Sequence, residues 1–183
     1  MRPIRLRDRT AWREVRARNV EWLRPWEATL PPGSFPASVS FAGMVRDARH
    51  SGRAGTALPF VVTYDGLLAG QVTVTGVTWG SARWGQVGYW VDHRLAGRGV
   101  TPTAVALVAD HCFSTVGLHR LEIAVRPENA SSLRVAEKLG FRREGQAPRY
   151  LHIDGAWRDH VLLALTAEET GRGVLDRYLR VRG

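Results

Sequence analysis

A single cysteine, Cys112, and a single lysine, Lys138, stand among 183 residues. One cysteine excludes an intrachain disulfide and a cysteine-built zinc site, and the default compartment is the cytoplasm. His119 and His160 have no partner at metal-ligand spacing, so no metal is expected. Apolar runs are short: none approaches the roughly 18 residues of a membrane span. The basic start "MRPIRLRDRTAWREVR" also lacks the apolar centre of a signal peptide, so no membrane partner is expected. Internal repeats and low-complexity tracts are absent. So are G-x-G-x-x-G with its downstream acidic residue and G-x-x-x-x-G-K-[ST], which removes a dinucleotide fold and a nucleotide P-loop.

What remains has the composition of a soluble globular protein, with 44% hydrophobic and 23% charged residues. The length fits one domain over residues 1–183, with 166–183 as a C-terminal capping helix and tail. The net charge of +9 is carried almost wholly by arginine. Guanidinium forks match phosphate at two points, which would suit a polyanionic ligand or a nucleic-acid-rich partner. A solvated surface shaped by coding bias explains the excess equally well.

Pattern gives the order of elements. "IRLR" reads as a short strand, and Asp8 as the cap of a helix with Trp12, Val15, Trp22 and Leu23 on one face, stopped by the prolines of "LRPWEATLPPGSFP". A second helix is expected from about Ser38 to His50, with "SGRAG" as its exit. "LPFVVTYDGLLAGQVTVTGVTW" and "QVGYWVD" read as a three-strand antiparallel meander with a tight turn at Asp65-Gly66. A helix follows over about 101–116, then a strand "LEIAVRP" parallel to "VGYWVD" through a crossover. "NASSLRVAEKLGF" reads as a short helix stopped at Gly140, and a hairpin around "DG" follows it. A last helix carries a capping box of Thr166 and Glu169. The fold class expected is α+β, a mixed, mostly antiparallel sheet with one parallel pair and helices on both faces.

Between the strand "VGYWVD" and the crossover helix lies an R-x-x-G-x-G turn, made by Arg94, Gly97 and Gly99. Unspent N–H groups at a helix start, the positive end of its dipole and glycines that admit close approach form an anion site, with Arg94 and Arg98 beside it. A pyrophosphate fits such a site.

That turn, with the strand before it, the crossover helix and the "RPEN" strand end, resembles the GNAT superfamily of acetyl-CoA-dependent N-acetyltransferases across nearly the whole chain. "NVEWLRPWEATLPP", "VGYWVDHRLAGRGV", "RLEIAVRPENASSLRVAEKLGFRREG" and "YLHIDGAWRDHVLLAL" are similar to the RimJ/RimL branch, the ribosomal-protein N-terminal acetyltransferases. The resemblance implies that Arg94, Gly97, Arg98, Gly99, Val100 and Thr101 cradle the pyrophosphate of acetyl-CoA. It implies that backbone groups of Trp90, Val91 and Asp92 on a splayed strand hold the pantetheine arm and polarise the thioester carbonyl. Asn129 would bond the pantetheine and Arg134 would reach coenzyme phosphates.

Acetyl transfer needs a neutral amine, a route for its proton and a donor to the departing thiolate. The tyrosine that many relatives place seven residues after the Asn is Ala136 here. The branch's serine three residues after it is Ser132, which the resemblance makes the acid. Glu122, on the strand lining the expected cleft, is the candidate base; an ion pair with a nearby Arg is its plainer reading. The base carboxylate of the RimL type falls near Arg149. Trp26, Glu27, Tyr150 and Asp159 are candidates for the acceptor side, and Cys112 reads as a buried structural thiol.

Three functions fit these residues. The first is an acetyltransferase acting on a protein N-terminus, by direct attack in a ternary complex. A small-molecule amine acetyltransferase is the second. The third is a non-catalytic acyl-CoA sensor or ribosome-associating module, motivated by the basic tail "DRYLRVRG". Nucleic acid is not expected as a substrate, and oligomeric state is left open.

Overall fold

The computed structural model describes residues 1–35 and 40–182. Six strands form one sheet in the order β1-β2-β3-β4-β6-β5: β1 (Leu58–Tyr64), β2 (Leu67–Thr78), β3 (Trp84–Val91), β4 (Arg120–Val125), β5 (Arg142–Ile153) and β6 (Ala156–Thr166). Every neighbouring pair is antiparallel except β3 and β4. Both hairpins expected from Asp-Gly dipeptides are present. Asp65 and Gly66 have φ of 48° and 78°, and Asp154 and Gly155 have 47° and 76°. Two consecutive positive φ values give the primed turn whose twist matches that of the strands.

Helices cover both faces. On one, α4 (Val100–His111), α5 (Ala130–Lys138) and α6 (Val174–Arg182) enclose the larger core with Val72, Val74, Val87, Leu121, Ile123 and Leu163. On the other, α1 (Arg9–Arg18) and α3 (Phe41–Ala54) enclose a smaller cluster of Ile4, Val15, Phe41, Val45, Val61 and Leu68. Leu121, Ile123 and Val125 are buried while Glu122 and Ala124 between them are only partly so, the alternation that period 2 demands of a strand with one core face. Cys112 lies fully buried among α4's neighbours, and burial pushes its thiol up to about 12.

The N-terminal third departs from expectation. "IRLR" is not a strand: Arg2 makes one bridge to Val61, and Leu6–Asp8 is a 3-10 turn. The Asp8 carboxylate is spent on Arg2, at 2.7 Å to both guanidinium nitrogens, and on the Arg5 N–H, so it does not cap α1. The single helix expected from Asp8 breaks at the buried Asn19 into α1 and the short α2 (Val20–Leu23). The start expected near Ser38 lies outside the described residues. Ser40 caps α3 by accepting from the Gly43 N–H, and the helix runs through "SGRA" to a left-handed Gly55. Glu169 does accept from Thr166, but the box closes a 3-10 turn, Ala167–Glu169. The last helix starts later, where both oxygens of Asp110 on α4 accept the N–H groups of Val174 and Leu175.

Candidate active site

β3 and β4 pair only through Trp84↔Arg120, Gly85↔Leu121 and Gln86↔Glu122. Beyond that point β3 stays with β2 as far as Val91↔Gly70, and β4 stays with β6 as far as Val125↔Val161. The strands therefore part, and the β4-facing backbone groups from Val87 to Val91 are left without a ladder partner. A cavity of about 850 Å³ lies along the parted end of β3 and is lined from both faces of the sheet. Gln71, Thr73, Thr75 and Gly88 line it on the α1 side, and residues of the turn, α4 and α5 on the other.

On the second side the chain turns from β3 into α4. Gly97 and Gly99 both take left-handed backbone, φ 77° and 82°. Within the turn, Leu95 N–H bonds to Asp92, Ala96 to His93 and Arg98 to Leu95, and Thr103 bonds back to Gly99. The N–H groups of Gly97, Gly99, Val100 and Thr101 find no acceptor among the described residues, and Pro102 has no N–H to offer. Four unspent donors converge at the start of a twelve-residue helix, which is the physical definition of an anion cradle.

The turn is braced from behind. Asp92 is 2% exposed, and its carboxylate is held by the guanidinium groups of Arg18, at 2.8 Å, and Arg94, at 2.9 Å. Burial alone would raise its pKa, but the hydrogen bonds from Arg94 and Arg18 hold it well below the usual carboxylate range. Asn19, fully buried at the α1–α2 break, donates to the Val15 carbonyl and accepts from the His93 N–H at 2.9 Å. The helix break therefore serves the turn: it carries Asn19 and Arg18 to the base of the loop that follows β3.

Asn129 caps α5 by accepting from the Ser132 N–H at 3.0 Å, which leaves its amide nitrogen as a donor toward the cavity. The Tyr89 hydroxyl donates to the Ser132 carbonyl at 3.2 Å, and burial pushes the phenol up to about 12, so it stays protonated at neutral pH. Across the sheet, Arg16 packs over the rings of Trp12 and Trp90 and donates to Glu27. Arg126 stacks 5.4 Å from Trp26, donates to the Pro25 carbonyl and pairs with Glu128.

The cavity brings together eleven of the residues singled out from sequence. Trp26, Glu27, Trp90 and Val91 line its α1 side and floor, and Gly97, Gly99, Val100 and Thr101 form the turn; Asn129, Ser132 and Arg134 come from α5. Six lie off its lining. The side chains of Asp92 and Arg94 brace each other, and Arg98 is exposed. Glu122 accepts from Arg120 at 2.7 Å at the closed end of the splay, beside an Arg120–Glu144–Arg142–Glu169 network. Asp159 accepts the N–H of Arg149, a left-handed residue (φ 48°) in a bulge of β5, and Tyr150 packs edge-on against the buried His160. Sequence reading missed Tyr89, Gln71, Thr73 and Arg16. Alternation along β2 and β3 could have placed Tyr89 on one face and Gln71 and Thr73 on the other, but not beside a gap.

A sheet that splays at one parallel pair, with an anion-binding turn at the end of one strand and a capped helix after the other, defines an acyl-coenzyme A transferase scaffold. Residues 1–142 match the family described as Acetyltransferase (GNAT) domain, and the chain belongs to that family. It is similar to RimJ of Mycobacterium smegmatis, solved in complex with CoA-disulfide, with 42% identity and a TM-score of 0.92 over 99% of this chain and 88% of that one. It is 31% identical to the [ribosomal protein uS5]-alanine N-acetyltransferase of Escherichia coli (strain K12) over 88% of this chain and 85% of the relative. The match to the probable N-acetyltransferase YjcK of Bacillus subtilis (strain 168) is 40% identical and spans 55% of this chain and 56% of that protein. The protein is an N-acetyltransferase whose acetyl donor is acetyl-CoA.

Proposed function

We propose that the acceptor is the α-amine of a protein N-terminus, that of a ribosomal protein by analogy with the Escherichia coli relative, and that it attacks the thioester directly in a ternary complex. One observation carries the choice of amine. Both carboxylates that line the cavity are already held by arginine, Glu27 by Arg16 and Glu128 by Arg126. Among the described residues the cavity thus has neither an unpaired carboxylate to take a proton nor an acidic trap for a polycation. An α-amine, with a pKa of about 7.8, is roughly a third neutral at pH 7.5; an alkylamine near 10.4 is about 250-fold less so. An α-amine needs little help to become a nucleophile. Direct attack is supported by the burial of Cys112, which removes the chain's only thiol from the cavity.

In this reading the four free N–H groups of the turn take the pyrophosphate, and Arg134 reaches a coenzyme phosphate. The unpaired edge of β3 at Trp90 and Val91 takes the pantetheine and the thioester oxygen, and the Asn129 amide adds a pantetheine bond. The Ser132 hydroxyl protonates the leaving thiolate and regains a proton from the nitrogen that has attacked, so that a neutral amide and the free thiol leave the cavity. The backbone of Asp92 stays at the strand's end while its carboxylate holds the turn. Gln71, Thr73 and Thr75 give uncharged hydrogen-bonding partners to an extended peptide.

The test is thiol release from acetyl-CoA against N-terminal peptides, the same peptides blocked at the α-amine but carrying lysine, and spermidine, with mass analysis of products. Acetylation of the free α-amine alone, its rate levelling off just above pH 8, is expected. Good turnover of spermidine with no peptide modified would overturn the proposal.

A further inference from the structure

Five glycines lie inside strands, and four of them have a local reason to be glycine. At Gly70 an added Cβ would run into the Trp90 carbonyl, and at Gly85 it would come within 2.7 Å of a Val74 methyl. Gly76 has a φ of 61° in the irregular stretch of β2, and Gly145 stands at a register shift of β5. Gly88 has none of these reasons. It pairs regularly with Thr73, its φ is not positive, and a Cβ there would meet no atom within 4 Å among the described residues.

Glycine inside a strand loses more chain entropy on folding than any other residue and packs nothing in return. It marks a bulge, a sharp bend, or a place where a ligand or a second backbone comes close. The first two are ruled out at Gly88, because β2 and β3 keep an unbroken register from Gly70↔Val91 to Thr75↔Gln86. Close approach is what remains.

Gly88 is exposed and lines the cavity. Period 2 sets its face of the sheet: Gln86 and Trp90 flank it along β3, Thr73 stands opposite on β2, and Val87 and Tyr89 point the other way, to the larger core. β3 has parted from β4 two residues earlier, at Gln86. The missing side chain therefore leaves a notch on the α1 side of the sheet, beside the Trp90 ring and across from the uncharged Gln71, Thr73 and Thr75. Distance relates this notch to the chemistry. Trp90, where the thioester oxygen is received, is two strand residues away, or roughly 7 Å. An attacking nitrogen about 3 Å from the thioester carbon carries its own α-carbon about 1.5 Å on and the β-carbon about as far again, so the first side chain of an acceptor begins roughly 5–6 Å from the reacting carbon. That is the reach of the notch.

We propose that Gly88 sizes the first residue of the acceptor. The side chain it lacks leaves the space in which the acceptor's first side chain lies against the sheet, so this one position sets the largest first residue the enzyme takes. The proposal rests on the reading of the acceptor as a protein N-terminus. With Gln71, Thr73 and Thr75 across from it, the notch suits an uncharged side chain.

The test compares the parent, Gly88→Ala and Gly88→Val on peptides that differ only in a first residue of glycine, alanine, serine or threonine, and on spermidine, with acetyl-CoA and with propionyl-CoA as donors. Calorimetric titration with CoA and thermal melting accompany each protein. Gly88→Ala should lower kcat/KM by less than about threefold for the glycine-first peptide and by at least about tenfold for the largest first residue the parent turns over, the loss lying in the acceptor KM. Gly88→Val should extend the loss to the alanine-first and serine-first peptides. CoA affinity should stay within about twofold of the parent in both variants, and neither should melt lower, since alanine and valine suit a strand better than glycine. Equal losses for every first residue, or no loss at all, would overturn the proposal and leave the N-terminal reading standing. A loss with propionyl-CoA and none with acetyl-CoA, whatever the peptide, would give the notch to the acyl group and overturn it too. Spermidine turnover by a parent that modifies no peptide would refute the reading of the acceptor, and the proposal with it.

Discussion

Gly99→Val is the sharpest perturbation of the coenzyme turn. Gly99 stands at φ 82°, ψ 1°, at the head of α4. For a residue with a side chain this left-handed backbone costs about 1–2 kcal/mol, and a β-branched side chain stands at the upper end. Relieving the strain means rotating the peptide that leads into Val100 and Thr101, whose N–H groups are two of the four unspent donors. A hydrogen bond to a charged acceptor is worth about 1.5–3 kcal/mol, so misaligning both should weaken coenzyme binding by about 3 kcal/mol or more. That corresponds to roughly 100-fold in Kd. Gly97→Ala is the graded comparison: φ is 77°, but an added Cβ would meet nothing within 4 Å, so only the backbone term applies and the loss should be tenfold or less. Calorimetric titration with CoA reads both. A Gly99→Val protein that is folded and binds CoA within twofold of the parent would refute the assignment of the turn.

Other substitutions separate roles within the site. Ser132→Ala should leave coenzyme affinity intact and lower kcat by about 10²-fold or more if its hydroxyl protonates the thiolate. Tyr89→Phe should leave kcat within a few-fold, since the phenol is engaged with the Ser132 carbonyl; the reverse ranking would make Tyr89 the acid. Asp92→Asn removes the charge that holds Arg18 and Arg94. Because both guanidinium groups can still reach water, the stability loss should be near 2 kcal/mol, accompanied by a raised KM for acetyl-CoA. His160 is 2% exposed and burial lowers its pKa. Its folded-state pKa is below the unfolded value of about 6.5, so the unfolded chain takes up the proton first. Stability is therefore full above that pH and falls as pH drops through the folded pKa. Thermal melts should show this loss in the parent and a flatter profile in His160→Gln.

Local signals made most of the sheet legible. The Asp-Gly turns, the alternation in β4 and the glycine stops fix geometry within a few residues, and they emerge as expected. The N-terminal segment was misread because its decisive contacts are tertiary. Asp8 looks like a cap until Arg2 competes for it, and nothing local announces that Asn19 will interrupt a helix to reach His93, 74 residues on. Likewise the start of α6 is set by Asp110, 64 residues earlier in the chain, so a nearer capping box drew the boundary to the wrong place. At the site, the glycine turn is a local motif and was readable, whereas the capping bond of Asn129 to the Ser132 N–H comes from the structure. The ion pair expected for Glu122 is there, with Arg120, whereas the pairing of Glu27 with Arg16 was not readable, because it joins α1 to the loop eleven residues on.

The dependence of α6 on Asp110 also bears on the order of events during synthesis. Tyr178 and Val181 on that last helix form part of the cavity wall on the coenzyme side, and the helix is pinned through its first two N–H groups to a carboxylate made long before it. A growing chain that has completed the sheet therefore has the turn before α4 but lacks that wall of the cavity. One carboxylate on α4 thus sets where that wall begins, so a change at Asp110 would reach the cavity through Tyr178 and Val181 without touching the turn.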